Sequence, residues 1–189
     1  MDLDKAIESR HSVRDFKEAK RVNYKEVIDA ISSAAKAPLA GNLSTLRFVI
    51  VSNKQKIKDL AIASQQDFIA KAGYVIVVCS DKKSLERYYY ERADRYAKQQ
   101  AGAAIQNMLL KLTELGLGTC WIGAYSDESV KRILSIPENI DVEAIFPIGY
   151  EADTSRERIP RHDINNLIFF EKYKEKRMTP FSDVSGEKT

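Results

Sequence analysis

Cysteine and histidine are scarce in this chain: its 189 residues contain two of each, and a single tryptophan. Cys79 and Cys120 each stand alone in an apolar run that reads as a strand, so no ligand set with zinc spacing is present and no metal site is expected. Two buried, structural thiols fit a reducing compartment, and a cytoplasmic location is the expectation. There is no G-x-S-x-G, and nothing in the pattern ties Cys120 to His11 or His162, so a nucleophilic hydrolase is not indicated. Both histidines read first as polar loop residues. Charge of one sign is also lacking. The formal net charge is +3, with acids and bases interspersed, which argues against a nucleic-acid or membrane-surface partner. No apolar run approaches the roughly 18 residues of a membrane span. The polar opening Met1-Asp2-Leu3-Asp4-Lys5 leads straight into a helical pattern, so no signal peptide is expected. Repeats and low-complexity linkers are absent, and with 44% apolar residues one domain with a sizeable core is expected.

What is present alternates between helical and strand periodicity. A short helix is expected over Leu3 to Ser9, with Leu3, Ala6 and Ile7 on one face. A second begins near Asn23, where Asn23 and Glu26 have capping-box spacing, and it stops before Pro38. Leu46 to Val51 and Tyr74 to Cys79 read as buried strands, separated by a helix that Asn53 caps. Residues 81–98 are charged and tyrosine-rich. They form either a substrate lid, through Tyr88, Tyr89, Tyr90 and Tyr96, or a solvated helix with aromatic packing. The run from Ala101 to Leu115 is apolar over too wide a face for a lone amphipathic helix, and Gly116 reads as its stop. Strands are expected at Thr119 to Ile122 and Val142 to Ile148, with a helix capped by Ser126 between them. Residues 151–163 read as a polar loop, followed by the apolar stretch Ile164 to Phe170. Gly116, Gly118 and Gly123 do not make a dinucleotide fingerprint, because the cluster follows a helix instead of opening one.

Three stretches carry the chemistry. Arg10-His11-Ser12-Val13-Arg14-Asp15-Phe16 offers two guanidinium groups and a hydroxyl, a set suited to a phosphate dianion; taken alone it is also an ordinary basic loop. Ala37-Pro38-Leu39-Ala40-Gly41-Asn42-Leu43 places a Gly-Asn pair between a helix and a strand, where main chain can approach a ligand. Leu115 to Gly123 is a glycine-rich run against which a planar ring could lie.

Taken together, these stretches resemble the nitroreductase family. Its pattern is R-R-S-x-R-x-F, then A-P-S-A-G-N-x-Q-P-W-x-F, then Q-N-x-L-L with G-L-G-x-x-W-I-G, and finally G-Y-P. The counterparts here are Arg10 to Phe16, Ala37 to Phe48, Gln106 to Leu110, Gly116 to Gly123, and Phe146-Pro147-Ile148-Gly149-Tyr150. The resemblance runs over about residues 3 to 173. It implies an α+β sandwich, a central mixed β-sheet flanked by helices in a single domain over residues 1–173, with a charged tail 174–189 that is disordered or packed on a partner subunit. It also implies FMN held at the interface of a homodimer, and electron transfer from NADH or NADPH to a nitro compound, quinone, enone or flavin by ping-pong exchange.

By the same resemblance, Arg10, Ser12 and Arg161 would hold the FMN phosphate, with His11 standing where the family has a second arginine. Arg14 would lie at the pyrimidine edge, and Asn42 would reach the ring or ribityl chain from the partner subunit. Ile122 and Gly123 would bring a backbone donor to N5. The chain departs from the pattern at Leu39, which replaces a small polar residue in the cofactor-binding stretch. Ser44, Thr45 and Leu46 stand for Gln-Pro-Trp, and Glu151 for proline. A flavin-consuming or oxygen-dependent enzyme of the same fold, or a flavin-binding protein without turnover, are the alternatives. No side chain is assigned as acid or base, since the flavin carries the chemistry.

Overall fold

The computed structural model describes residues 1–152 and 163–177. The chain divides into two compact units, Met1–Thr154 and Ser155–Thr189. In the first, local signals set the helix ends. Helix α1, Leu3–Ser9, is capped by Asp2, whose carboxylate accepts from the Lys5 N–H at 2.8 Å. Helix α2, Tyr24–Ala34, opens on the expected Asn23/Glu26 capping box, so two of its orphan N–H groups are satisfied reciprocally. Strand β1, Leu46–Val51, leads to α3, Lys54–Ser64, whose first turn donates to the Asn53 side chain. Strand β2, Tyr74–Ser80, is followed by α4, Lys83–Tyr89, and by the long helix α5, Ala93–Glu114. Then come β3, Gly118–Thr119, helix α6, Asp127–Leu134, capped by Ser126, and β4, Asp141–Gly149.

The four strands form one sheet in the order β1-β2-β4-β3. All three pairings are antiparallel, whereas a mixed sheet was expected. The reason lies in the connections. A helix between two strands suggests a crossover that re-enters the sheet from the far end. Here α3 and the 3-10 turn Asp67–Lys71 return the chain to the end it left, so Val51 pairs with Val75. Helix periodicity reports which face a helix covers, not where the chain re-enters.

Both faces of the sheet are covered. Ile76 and Val78 of β2 join a core with Val27 and Ala30 of α2 and Ala104, Ile105, Met108 and Leu112 of α5. Val75, Val77 and Cys79 point the other way, into a core with Ile57 and Leu60 of α3 and Val130 of α6. A strand buried on both sides needs no polar alternation, which is why β2 is a continuous apolar run. Helix α5 starts eight residues before Ala101. Its first turns carry Asp94, Arg95 and Lys98 on the outer face, while the buried positions Ala93 and Ala97 are too small to mark a hydrophobic stripe. It ends at Glu114 with Leu115 as its cap, and Gly116 takes the left-handed conformation at φ 73° that such a stop favours. The strand expected over Thr119 to Ile122 is shorter: β3 ends at Thr119, and Ile122 forms an isolated bridge with Ile145. Cys79 and Cys120 are both free thiols.

In the second unit, Asp163 caps a 3-10 turn, Ile164–Asn166, accepting from the Asn165 N–H at 3.0 Å. Phe169 and Tyr173 stack edge to face at 4.9 Å, with the Lys176 ammonium 4.3 Å from the Phe169 ring centre. Among the described residues, no helix is long and apolar enough to cross a membrane.

Candidate functional site

The basic segment Arg10–Phe16 leaves the end of α1 and is laid along the β3–β4 pair by main-chain bonds. The Val13 N–H donates to the Thr119 carbonyl at 2.9 Å, Lys17 N–H to Tyr150 at 2.8 Å, and Ala152 N–H to Asp15 at 3.0 Å. Phe16 also forms an antiparallel bridge with Glu151. Val13 and Phe16 are buried, so Ser12, Arg14 and Asp15 are left at the surface.

Two glycines make this close approach possible. Gly118 and Gly149 are cross-strand partners. A Cβ on Gly118 would stand 2.8 Å from Val13 Cγ2, and one on Gly149 would stand 2.8 Å from Phe16 Cδ1. The pair therefore forms a smooth strip on which the two apolar side chains of the segment rest. Three of the stretches singled out in the sequence, Arg10–Phe16, Gly116–Gly123 and Phe146–Tyr150, thus meet at one sheet edge.

The polar groups of that edge suit a phosphate and a planar ring. Neither Arg10, half-buried, nor Arg14, exposed, has an ion-pair or hydrogen-bond partner among the described residues, and the Ser12 hydroxyl is likewise unpartnered. Asp15, by contrast, is matched by Lys71 at 3.1 Å. Ile122 is buried and bridged to Ile145, which fixes the following peptide, while Gly123 is exposed with nothing within 4 Å of where a Cβ would stand. Trp121 lies beside them, 44% exposed, its ring edge-on to the buried Phe146 at 5.6 Å. Two guanidinium groups and a hydroxyl without partners among the described residues fit an anionic group such as the phosphate of FMN.

The Ala37–Leu43 stretch is elsewhere. Gly41 and Asn42 both have positive φ, 56° and 59°, and a Cβ on Gly41 would run into the Tyr89 phenol. Leu39 is half-buried and its carbonyl accepts from the Asn42 N–H at 3.3 Å. Ala40 and Leu43 pack with Leu85, Tyr89, Ala93, Tyr96 and Ala97 of the α4–α5 corner. Asn42 is exposed there, and the contacts of its stretch do not run to the basic segment. Thr45 and Leu46 are buried, Leu46 in the α2–α5 core. Arg161 and His162 lie outside the described residues.

Sequence reasoning missed three arrangements. His11 and Glu151, two positions that depart from the family pattern, meet: His11 Nε2 lies 3.2 Å from Glu151 Oε1. That both departures sit in motifs of one edge was the signal available. Lys82 binds Asp141 at 2.6 Å and Asp94 at 3.1 Å, tying the starts of α4, α5 and β4 together. These bonds hold the lysine well above its ordinary range, Asp141 contributing most. The bond from Lys82 holds the Asp94 carboxyl below its ordinary value. Third, a register shift between Val78 and Cys79 leaves Glu143 as an extra residue on β4. Burial, reinforced by Glu143, pushes the Cys79 thiol up to about 11, so it is inert at neutral pH.

A helix-covered antiparallel sheet with an anion-ready segment on its β3–β4 edge defines the class. The sequence profile of the Nitroreductase family matches residues 7–69 and 63–150. A relative from Archaeoglobus fulgidus, whose name pairs NADH dehydrogenase with NAD(P)H nitroreductase, is 32% identical over 154 residues, covering 79% of this chain and 85% of that protein. An FMN reductase (NADPH) of Bacillus subtilis is 23% identical over 84% of this chain and 70% of its own length. The crystal structure of a protein from Bacteroides thetaiotaomicron, again named for NADH dehydrogenase and NAD(P)H nitroreductase, superposes with a TM-score of 0.78 at 27% identity, covering 90% of this chain and 98% of that one. The chain belongs to the Nitroreductase family.

Proposed function

We propose that this protein is an FMN-dependent oxidoreductase that passes electrons from NADH or NADPH to a small organic acceptor. The observation that carries the reading is the pair of guanidinium groups, Arg10 and Arg14, without a counter-ion among the described residues, on a segment seated on Gly118 and Gly149 at the β3–β4 edge. The names of the relatives supply the nicotinamide and the flavin. Bound FMN would supply the two-electron redox chemistry between nicotinamide and acceptor.

The chain's own residues bind and tune. Arg10 and Ser12 would hold the phosphate by charge-assisted hydrogen bonds. Arg14 places a cation at the pyrimidine edge, where it favours the reduced, anionic ring. The Ile122–Gly123 backbone serves the N5 edge. Leu39 gives an apolar contact in place of a polar one. The Asn42 stretch completes the site from a second copy of the chain, since within one chain it packs on the α4–α5 corner. Leu3 and Ile7 of α1 are exposed apolar residues that a homodimer would cover. Nicotinamide and acceptor take turns in one pocket, because no dinucleotide fingerprint provides a separate one.

The test is to load the purified protein with FMN, then follow anaerobic flavin bleaching with NADH and NADPH and steady-state turnover against a panel of acceptors. Flavin uptake, bleaching, parallel double-reciprocal lines and a mass of twice 21.4 kDa by light scattering are expected. Failure to take up FMN overturns the reading. Uptake without bleaching identifies a flavin-binding protein without turnover, and loss of the flavin itself during aerobic turnover identifies a flavin-consuming enzyme.

A further inference from the structure

We propose that Lys17 and Arg21, on the turn that continues the basic segment, bind the 2′-phosphorylated adenosine end of the nicotinamide donor together with the exposed ring of Tyr24, so that NADPH is favoured over NADH. The proposal rests on the FMN reading above and narrows its donor. Charge is the first ground. Residues 10–21 hold five of the 30 basic residues of the chain but only two of its 27 acidic ones, so the whole formal charge of +3 resides in this stretch. The flavin reading uses Arg10 and Arg14, and leaves Lys17, Lys20 and Arg21 idle. The second ground is that their turn is fixed. The Lys17 N–H donates to the Tyr150 carbonyl at 2.8 Å, and the Lys20 N–H closes the turn on the Lys17 carbonyl at 3.2 Å. The Lys20 ammonium lies 3.5 Å from the centre of the Tyr150 ring, a cation–π contact that holds the turn against the end of β4. Val22 is buried, with Cγ2 3.0 Å from where a Cβ on Gly73 would stand. Between these anchors the Lys17 and Arg21 side chains are exposed, and neither has an ion-pair or hydrogen-bond partner among the described residues.

An aromatic surface stands next to these cations. Tyr24, the first residue of α2, is 54% exposed, yet its ring is steadied by Tyr74, with centres 6.3 Å apart and a tilt of 47°. Tyr74 pairs with Ile148, two residues before Tyr150, so Tyr24 and the turn stand at the end of the sheet that also carries the basic segment. Of the acids nearby, Asp15 is matched by Lys71, Glu26 closes the capping box of α2, Glu151 meets His11, and Glu18 is exposed on the turn itself. A half-exposed ring offers a face to a purine, and the two cations offer charge-assisted hydrogen bonds to a phosphate. Both nicotinamide dinucleotides carry the purine, but only NADPH carries the 2′-phosphate. Seven residues separate Arg14 from Arg21, a span of at most about 25 Å that the turn shortens further. A dinucleotide whose nicotinamide lies on the flavin can therefore reach the turn with its other end.

The test compares adenosine 2′,5′-bisphosphate with adenosine 5′-monophosphate by titration calorimetry, on the wild type, Lys17→Gln/Arg21→Gln and Tyr24→Leu, each with and without FMN. All three positions are exposed, so folding is spared. The wild type should bind the bisphosphate about tenfold more tightly, the worth of one charge-assisted hydrogen bond. The double variant should bring the two affinities together, whereas Tyr24→Leu should weaken both by a similar factor and keep their ratio. Equal affinities in the wild type, or the same ratio in the double variant, overturn the inference. So does inorganic pyrophosphate binding as tightly as the bisphosphate, which would mark a general anion surface. In the flavin-loaded protein, kcat/KM for NADPH should exceed that for NADH by about the same factor, and the double variant should bring their ratio close to one; a wild type that prefers NADH overturns the inference. Failure of the wild type to take up FMN overturns the reading beneath it instead, and the calorimetric ratio without flavin still decides whether the turn binds a 2′-phosphate.

Discussion

Replacing Gly149 by alanine tests how the basic segment is held. The added Cβ would lie 2.8 Å from Phe16 Cδ1, 3.1 Å from Cγ and 3.3 Å from Cβ. Carbon atoms rest at about 3.5–4.0 Å, so the ring must withdraw by roughly half an ångström or more. The clash is with the root of the ring, which moves only if the backbone of the segment moves too. Phe16 is buried at 3% exposure and bridged to Glu151, so the displacement carries the Arg10–Phe16 segment away from β4. Overpacking of this kind costs about 1–3 kcal/mol, which for a chain of this length lowers the melting temperature by roughly 3–10 °C. Gly118→Ala meets Val13 at Cγ2, Cγ1 and Cβ, all within 3.0 Å, and a β-branched side chain cannot rotate clear, so its cost should be at least as large. Gly102→Ala is the control. It lies within α5 with nothing within 4 Å of the new atom, and alanine there should stabilise by about 0.5–1 kcal/mol. Thermal melts of the three variants, with FMN affinity on each, decide the matter. The double variant Gly149→Ala/Phe16→Leu should recover part of the loss, a coupling that only direct contact explains. If Gly149→Ala melts with the wild type and keeps its flavin affinity, the glycine strip does not position the segment.

Lys82→Met should lower the melting temperature by a few degrees at neutral pH, about 0.5–1 kcal/mol for a largely exposed network. Asp94 has a lowered folded value, so its contribution is complete above the unfolded aspartate value of about 3.9 and disappears as pH falls below it; melting curves of wild type and Lys82→Met should converge there. Cys79, 1% exposed and with its thiol near 11, should resist iodoacetamide at pH 8 in the native protein and react only on unfolding, as followed by mass spectrometry. Arg10→Ala should weaken FMN retention about tenfold, while Arg14→Ala should lower the reduction potential of the bound flavin with a smaller loss of affinity. Equal affinity losses and an unchanged potential in those two variants would refute the division of roles.

The helices were legible wherever a polar cap preceded an apolar period, as at Asn23, Asn53 and Ser126, because capping is a contact between residues two or three apart. The start of α5 was not, since Ala93 and Ala97 bury a face without any large apolar side chain. Strand direction was not legible either, because the period of a helix is blind to the end of the sheet at which it delivers the chain. The site divides along the same line. Arg10, Ser12 and Arg14 stand out as candidates because their chemistry is local: cations and a hydroxyl within five residues are visible in any window. What makes them available is not local. It is the pairing of Gly118 with Gly149, 31 residues apart in the chain, that lets Val13 and Phe16 come down onto the sheet while Arg14 between them stays exposed. Each glycine alone reads as a turn or a helix stop, and only their register shows a seat. The same register delivers Glu151 to His11, so that two substitutions lying 140 residues apart become one contact. A motif can therefore supply charge suited to a phosphate, while the means of holding that charge in place is written in the pairing of strands.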